Sequence, residues 1–286
     1  MLYALLLSSA AISPAQSAAL SSPEKTAGPD YNAHMEALTR RLPHKGFTIV
    51  LQRPFVVVGD ESATMVKRRA RKTVKWAVDL LKKDFFKKDP TRIIDVWLFK
   101  DKTSYRKHAL ALFGDKPDTP FGYYSSTHRA LVMNISTGGG TLVHEIVHPF
   151  IAANFTGCPA WFNEGLASLY EQSRERKGKI VGLTNWRLAG LQKAIKKGDL
   201  TSFKKLTSTT TSEFYDQDRG TNYAQARYLM YYLQEHNLLR SYYKRFLSRR
   251  ADDPTGFDSL KKTLGTKDMA AFQKMWEAYV LKLRFE

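Results

Sequence analysis

The sequence predicts an α+β fold: a mixed sheet with helices in the first part of the chain, then a mostly helical C-terminal region. Three observations carry this. Short apolar runs rich in β-branched residues lie in the first half, with Pro54 to Val58 the clearest. Segments with apolar residues at helical spacing alternate with them. From Trp186 onward the periodic stretches read as helices, punctuated by Gly198, Gly220, Gly256 and Gly265. The 286 residues suffice for one large domain or two modest ones, and 43% hydrophobic content supports a real core.

The elements follow in order. Met1 to Ile12 is apolar but too short to span a bilayer, which takes about 20 residues. Small residues around Ala15-Gln16-Ser17-Ala18-Ala19 come next, so residues 1–19 read as a secretory signal, although no Lys or Arg precedes the run. The other reading is an apolar tail. Ser21 to Asp30 is a linker, and His34 to Leu42 a short helix. Phe47 to Leu51 and Pro54 to Val58 are strands, closed by Gly59-Asp60. Ser62 opens a long helix to about Phe86, with Ala63, Val66, Ala70, Val74, Ala77 and Leu81 on one face. Its other faces carry Lys67, Arg68, Arg69, Arg71, Lys72 and Lys75, either a solvated face or an anion-binding surface. Ile93 to Phe99 is a strand, Thr103 to Phe113 a helix with Ser/Thr caps, and Ala130 to Ile135 another strand. Beyond Glu171, Arg174 to Lys179 reads as a charged turn and Thr207 to Ser212 as a polar loop. The late helices are Trp186 to Lys196, Tyr223 to His236, Ser241 to Ser248 and Met269 to Leu283.

The chemistry concentrates at His144-Glu145-Ile146-Val147-His148. On a helix the two histidines are about 400° and roughly 6 Å apart, so they project from one face and can grip one metal ion. Glu145 sits beside that ion, where a general base for an activated water belongs. Only three positions of such a motif are fixed, so its surroundings matter. Thr141 can cap a helix after Gly138-Gly139-Gly140, and Leu142, Val143, Ile146 and Val147 suit a buried one. Pro149 lacks the N–H that the Glu145 carbonyl needs, so a kink is expected after the ligand turn. Pro159 suits the first turn of a second helix, which would hold Glu164. A carboxylate beside two histidines leaves an open position on zinc, and these ligand types favour zinc over other divalent ions. Cys158 is the rival third ligand.

The pair H-E-I-V-H and W-F-N-E-G-L-A-S resembles the gluzincin clan of metallopeptidases, most closely the peptidase MA-like domain proteins of bacteria. The order of elements over roughly residues 50 to 240 is similar too. The resemblance implies a zincin-like catalytic domain at 47–175, preceded by a linker and short helix at 20–46 and completed by helices at 176–286. It implies one zinc ion per chain on His144, His148 and Glu164, with Glu145 activating water. It also implies an oxyanion-binding tyrosine about sixty residues after the glutamate ligand. Tyr223 stands there, and its other reading is one more aromatic beside Tyr228, Tyr231 and Tyr232. The strand before the metal helix would edge the cleft and pair with substrate backbone, which makes Met133 and Asn134 candidate substrate contacts. Asn163 and Ser168 are second-shell candidates by position.

Two departures shape the expected activity. Fifteen residues, 149–163, separate His148 from Glu164, fewer than in the clan's large aminopeptidases. Leu131-Val132-Met133-Asn134-Ile135 also lacks the acid with which those enzymes hold a free amine. Cleavage inside a chain is therefore favoured over aminopeptidase action. Lys plus Arg number 45 against 27 Asp plus Glu, a net charge of +18, which favours anionic partners. No nucleic-acid-binding motif is present. One cysteine excludes an internal disulfide without excluding export, and a secreted or periplasmic peptidase with a peptide or protein substrate is expected. The rival reading is a binding protein on the same scaffold, or a cell-wall hydrolase, engaging anionic envelope polymers.

Overall fold

The computed structural model describes residues 28–216 and 221–285. The expected signal segment 1–19 lies outside them. The chain runs α1 (Tyr31–Arg41), β1 (Thr48–Gln52), β2 (Phe55–Gly59), α2 (Ala63–Arg69), a wider π-helical turn (Ala70–Lys75), α3 (Trp76–Asp84), β3 (Ile94–Phe99), α4 (Lys102–Phe113), β4 (Gly122–Ser125) and β5 (Ala130–Asn134). It continues with α5 (Gly140–Asn154), α6 (Ala160–Leu169), β6 (Ser173–Arg176), β7 (Lys179–Gly182), α7 (Arg187–Lys197), α8 (Phe203–Thr207), α9 (Thr211–Asp216), α10 (Thr221–Glu235), α11 (Leu239–Arg249), α12 (Phe257–Leu264) and α13 (Met269–Lys282). This is an α+β architecture with a helical C-terminal region. Among the described residues no helix is long and apolar enough to cross a membrane.

The main sheet has the order β1-β2-β3-β5-β4. Its centre is parallel, β2 on β3 and β3 on β5, while β1 and β4 run antiparallel at the two edges. The central strands are apolar on both faces because both faces are covered. Val57, Val96, Leu98 and Leu131 join the core shared with α3 and α5. Val56, Val58, Trp97, Phe99 and Val132 face the second core, which holds Tyr105 and Ala109 of α4 and Leu38 of α1.

The order of strands corrects one expectation. Ala130 to Ile135 does not edge the sheet, because β5 hydrogen-bonds β3 on one side and β4 on the other. Its backbone is spent, and the edge on that side is β4. Met133 is buried at 1% exposure. Asn134 is buried too, donating to the Pro120 carbonyl (2.9 Å) and accepting from the Ser136 hydroxyl (2.7 Å), so it locks the chain reversal after β5. Neither side chain offers itself to a substrate.

Three local expectations also change. The α5 helix begins at Gly140 with Gly139 as its cap, and it runs on through Pro149 to Asn154. Thr141 therefore lies inside the helix rather than capping it. The α4 helix is capped by Asp101, which accepts from the Ser104 amide at 2.8 Å. Arg174 to Lys179 is not a charged turn alone but a hairpin, β6 paired with β7 about Lys177 and Gly178, both at positive φ. The expected boundary at 175/176 falls inside β6. One core runs from Phe55 of β2 to Val280 of α13.

Candidate metal centre

Helices α5 and α6 build the site. Helix α6 is fixed by its aromatics: Trp161 donates to the Thr255 carbonyl at 3.0 Å, and Phe162 stacks on Tyr243 at 6.2 Å between centroids. Each such ring contributes about 1.5–3 kcal/mol on burial. Gly165 lets α6 press on α10, since a Cβ there would lie 3.2 Å from Ala226 backbone. That close approach sets the depth of Glu164.

His144, Glu145 and His148 offer donor atoms within 4.8 Å of one another, a group that could hold a metal ion. The histidine rings lie 4.9 Å apart between centroids. Glu164 meets them from α6. Its Oε2 lies 3.2 Å from His144 Nε2, and its Oε1 lies 3.9 Å from His148 Nε2. Two ligands about 2.05 Å from a tetrahedral ion stand roughly 3.3 Å apart, so the His144–Glu164 spacing is that of co-ligands. Glu164 Oε2 is buried and makes no hydrogen bond among the described residues. A buried carboxylate oxygen is seldom left so, and a cation is what would satisfy it. On distance alone Glu145 could also be a ligand, but Glu164 turns one oxygen to each histidine and is the more deeply buried.

Each histidine is oriented from behind. His148 Nδ1 lies 2.9 Å from Asn163 Oδ1, so the ring donates there and its Nε2 lone pair faces the site. His144 Nδ1 lies 3.2 Å from Glu171 Oε1, within ion-pair distance but off the line of a hydrogen bond. Glu171 is held in turn by Arg187 in a two-pronged contact (2.7 and 2.9 Å) and by Asn185 (3.0 Å). Burial alone would raise the Glu171 pKa, but Arg187 and His144 outweigh it and bring it down to about 2. Burial alone would depress His144, and the carboxylates of Glu164 and Glu171 reverse that and raise it. Glu164 is lowered, its burial outweighed by the two histidines. The site is thus a buried negative pocket set to receive positive charge.

Other sequence candidates fall differently. Tyr223 packs in the wall of the site, its ring 5.1 Å from Phe214 and 6.2 Å from Tyr215, with the Arg187 guanidinium 5.2 Å above it. The hydroxyl that reaches Glu164 Oε1, at 2.6 Å, belongs to Tyr215. Ser168 is fully buried, and its hydroxyl has no hydrogen-bond partner among the described residues, while its carbonyl accepts from Arg227. Cys158 points at the neighbouring Pro159 carbonyl (3.7 Å) and packs against the core, outside the group of donor atoms.

Sequence reasoning missed Glu171, Arg187 and Tyr215. Glu171 lies just past the end of α6, in the turn after Leu169, so helical spacing gave no signal for it. Tyr215 had none either, because α9 reaches Glu164 only through tertiary packing.

A family model described as "Protein of unknown function (DUF1570)" matches residues 139–252. The match spans α5 to α11 and so includes His144, Glu145, His148, Glu164, Glu171 and Tyr215, while the main sheet lies outside it. No curated protein matches the chain.

Proposed function

We propose that this protein is a zinc-dependent peptidase that hydrolyses peptide bonds within a chain. One observation carries the reading: the buried Glu164 oxygen that makes no hydrogen bond among the described residues, set 3.2 Å from His144 Nε2, with Glu145 alongside. His144, His148 and Glu164 would hold one ion. When bound, zinc supplies Lewis acidity, which acidifies water and polarises a carbonyl. Asn163 keeps the His148 ring in the tautomer that presents Nε2, and the charge of Glu171 beside His144 Nδ1 favours a proton on that nitrogen. Glu145 accepts the proton of the attacking water and delivers it to the leaving nitrogen. A tyrosine hydroxyl, from Tyr215 or Tyr223, donates to the oxygen that gains charge. The exposed backbone edge of β4 can extend the sheet with one strand of substrate. Strand β5, Ala130–Asn134, carries no acid that could hold a free amine, which supports endopeptidase over aminopeptidase action.

Two measurements test this together. Elemental analysis should give about one zinc per wild-type chain and sharply less in Glu164→Ala. Glu145→Gln should keep the metal and lose about a thousandfold in kcat against a peptide library, within the usual range for removing a general base. Failure to take up zinc on reconstitution would remove the hydrolase reading and leave a binding scaffold.

A further inference from the structure

A cleft of about 790 Å³ opens beside the metal centre, against His148 and Pro149 of α5 and Asn163 of α6. Its far wall is Tyr124 on the edge strand β4, together with Arg129 in the β4–β5 turn and Arg92 just before β3. The two arginines come together because β3 and β5 are parallel neighbours, so the residues entering them lie at one end of the sheet; the Arg129 carbonyl accepts from the Asp95 amide at 3.1 Å. No Asp or Glu is among the cleft's lining residues. Among the described residues neither guanidinium makes an ion pair or a side-chain hydrogen bond. The nearby Asp89 is engaged by Lys82 at 2.6 Å. Ile94, Ala152 and Ala153 add an apolar stretch, and Thr91, Ser126 and Thr127 line the wall with neutral polar groups. A guanidinium presents a planar fork of donors that matches a carboxylate, and two on one cleft with no competing acid form a receptor for one.

We infer that this cleft is a specificity subsite that selects a carboxylate on the substrate, on the His148 side of the scissile bond. The inference rests on the peptidase reading above and goes further, to the class of substrate. A peptide laid along β4 passes His148 with alternate side chains turned toward the cleft, and an acidic one there meets Arg92 and Arg129. A free C-terminal carboxylate offers the same chemistry from a different source.

The test uses binding, so it does not depend on turnover. The zinc-loaded Glu145→Gln protein is titrated with fluorescein-labelled peptides of about ten residues, followed by anisotropy. One series carries Glu or Gln at each position with an amidated C-terminus, and a second carries Gln throughout with a free or an amidated C-terminus. The Glu peptides, or the free-carboxylate peptide, should bind at least about fivefold more tightly than their neutral partners, and the series that responds names the source. Adding Arg92→Gln and Arg129→Gln should abolish the preference while leaving the affinity for neutral peptides unchanged. No preference in the parent, or a preference that survives both substitutions, overturns the inference. The two readings fail separately. Wild-type cleavage without acidic preference sinks only the subsite, whereas acidic preference without any cleavage by wild type sinks the peptidase and leaves Arg92 and Arg129 as a carboxylate-binding cleft.

Discussion

At the scale of single residues, the contact that distinguishes this site is Glu171 behind His144. The carboxylate sits 3.2 Å from Nδ1 and is gripped by Arg187, so it fixes both the direction and the basicity of the ring. Glu171→Gln keeps the shape and removes the charge. Zinc affinity should fall by about ten- to a hundredfold, the usual effect of losing a carboxylate behind a ligating histidine. A chelator competition series reads this directly, and an unchanged affinity would mean that Glu171 serves only Arg187. The candidate ligands His144 and His148 were legible in the sequence because a helix converts a spacing of four into a shared face, which is local geometry. Glu164 was legible only through the likeness of its flanking residues to a known pattern. Tyr215 was not legible, because no local rule brings α9 to α6. Asn134 misled for the opposite reason: its place beside the metal helix is real, but its side chain is consumed in closing the turn to Ser136 and Pro120.

At the scale of elements, the site depends on how α5 meets the end of α6. Gly140, the first residue of α5, lies so close to the Glu171 carbonyl that an added Cβ would collide with backbone rather than with a movable side chain. Gly140→Ala must therefore push α5 away from the segment that carries Glu171. The expected cost is about 1–3 kcal/mol of stability, with weakened zinc binding because His144 moves relative to Glu171. Urea unfolding of the metal-free protein checks the first and chelator competition the second; a variant as stable as wild type would show that the approach relaxes freely. Strands β2, β3 and β5 could be read from sequence because their apolar runs, buried on both faces, carry the signal in composition, and the half-buried β1 because Ile49-Val50-Leu51 is a β-branched apolar run. The β4 strand could not, since Gly122-Tyr123-Tyr124-Ser125 is short and owes its strand conformation to pairing with β5. Hairpin β6–β7 hid behind its charges, because Arg174, Glu175 and Arg176 are exposed. Its signal was the two-residue Lys177-Gly178 turn, which suits the positive φ that tight hairpins demand.

At the scale of the whole molecule, net charge and buried titrating groups set how stability responds to pH. A chain that carries +18 at neutral pH gains further positive charge on acidification, and self-repulsion grows. Superposed on that is a specific contribution from the second core. His108 is 4% exposed, stacked on Phe99 at 5.4 Å and edge-on to Phe47 at 5.2 Å. Burial pushes its pKa below the ordinary 6.5, only partly offset by the Asp60 carboxylate. The unfolded chain therefore takes up a proton near pH 6.5 that the folded chain refuses. Its contribution is fully present above pH 6.5 and is lost progressively as pH falls from there toward the lower folded value. His108→Phe keeps an aromatic ring in the stack and removes the titration. With both proteins held in chelator and at one ionic strength, the charge effect and the ligand histidines act equally on each. Urea unfolding at a series of pH values from about 7.5 to about 5 should then give a shallower loss of stability for the variant than for wild type. Equal slopes would mean that the ring takes its proton as readily in the folded core as in water, and that the second core does not hold it neutral.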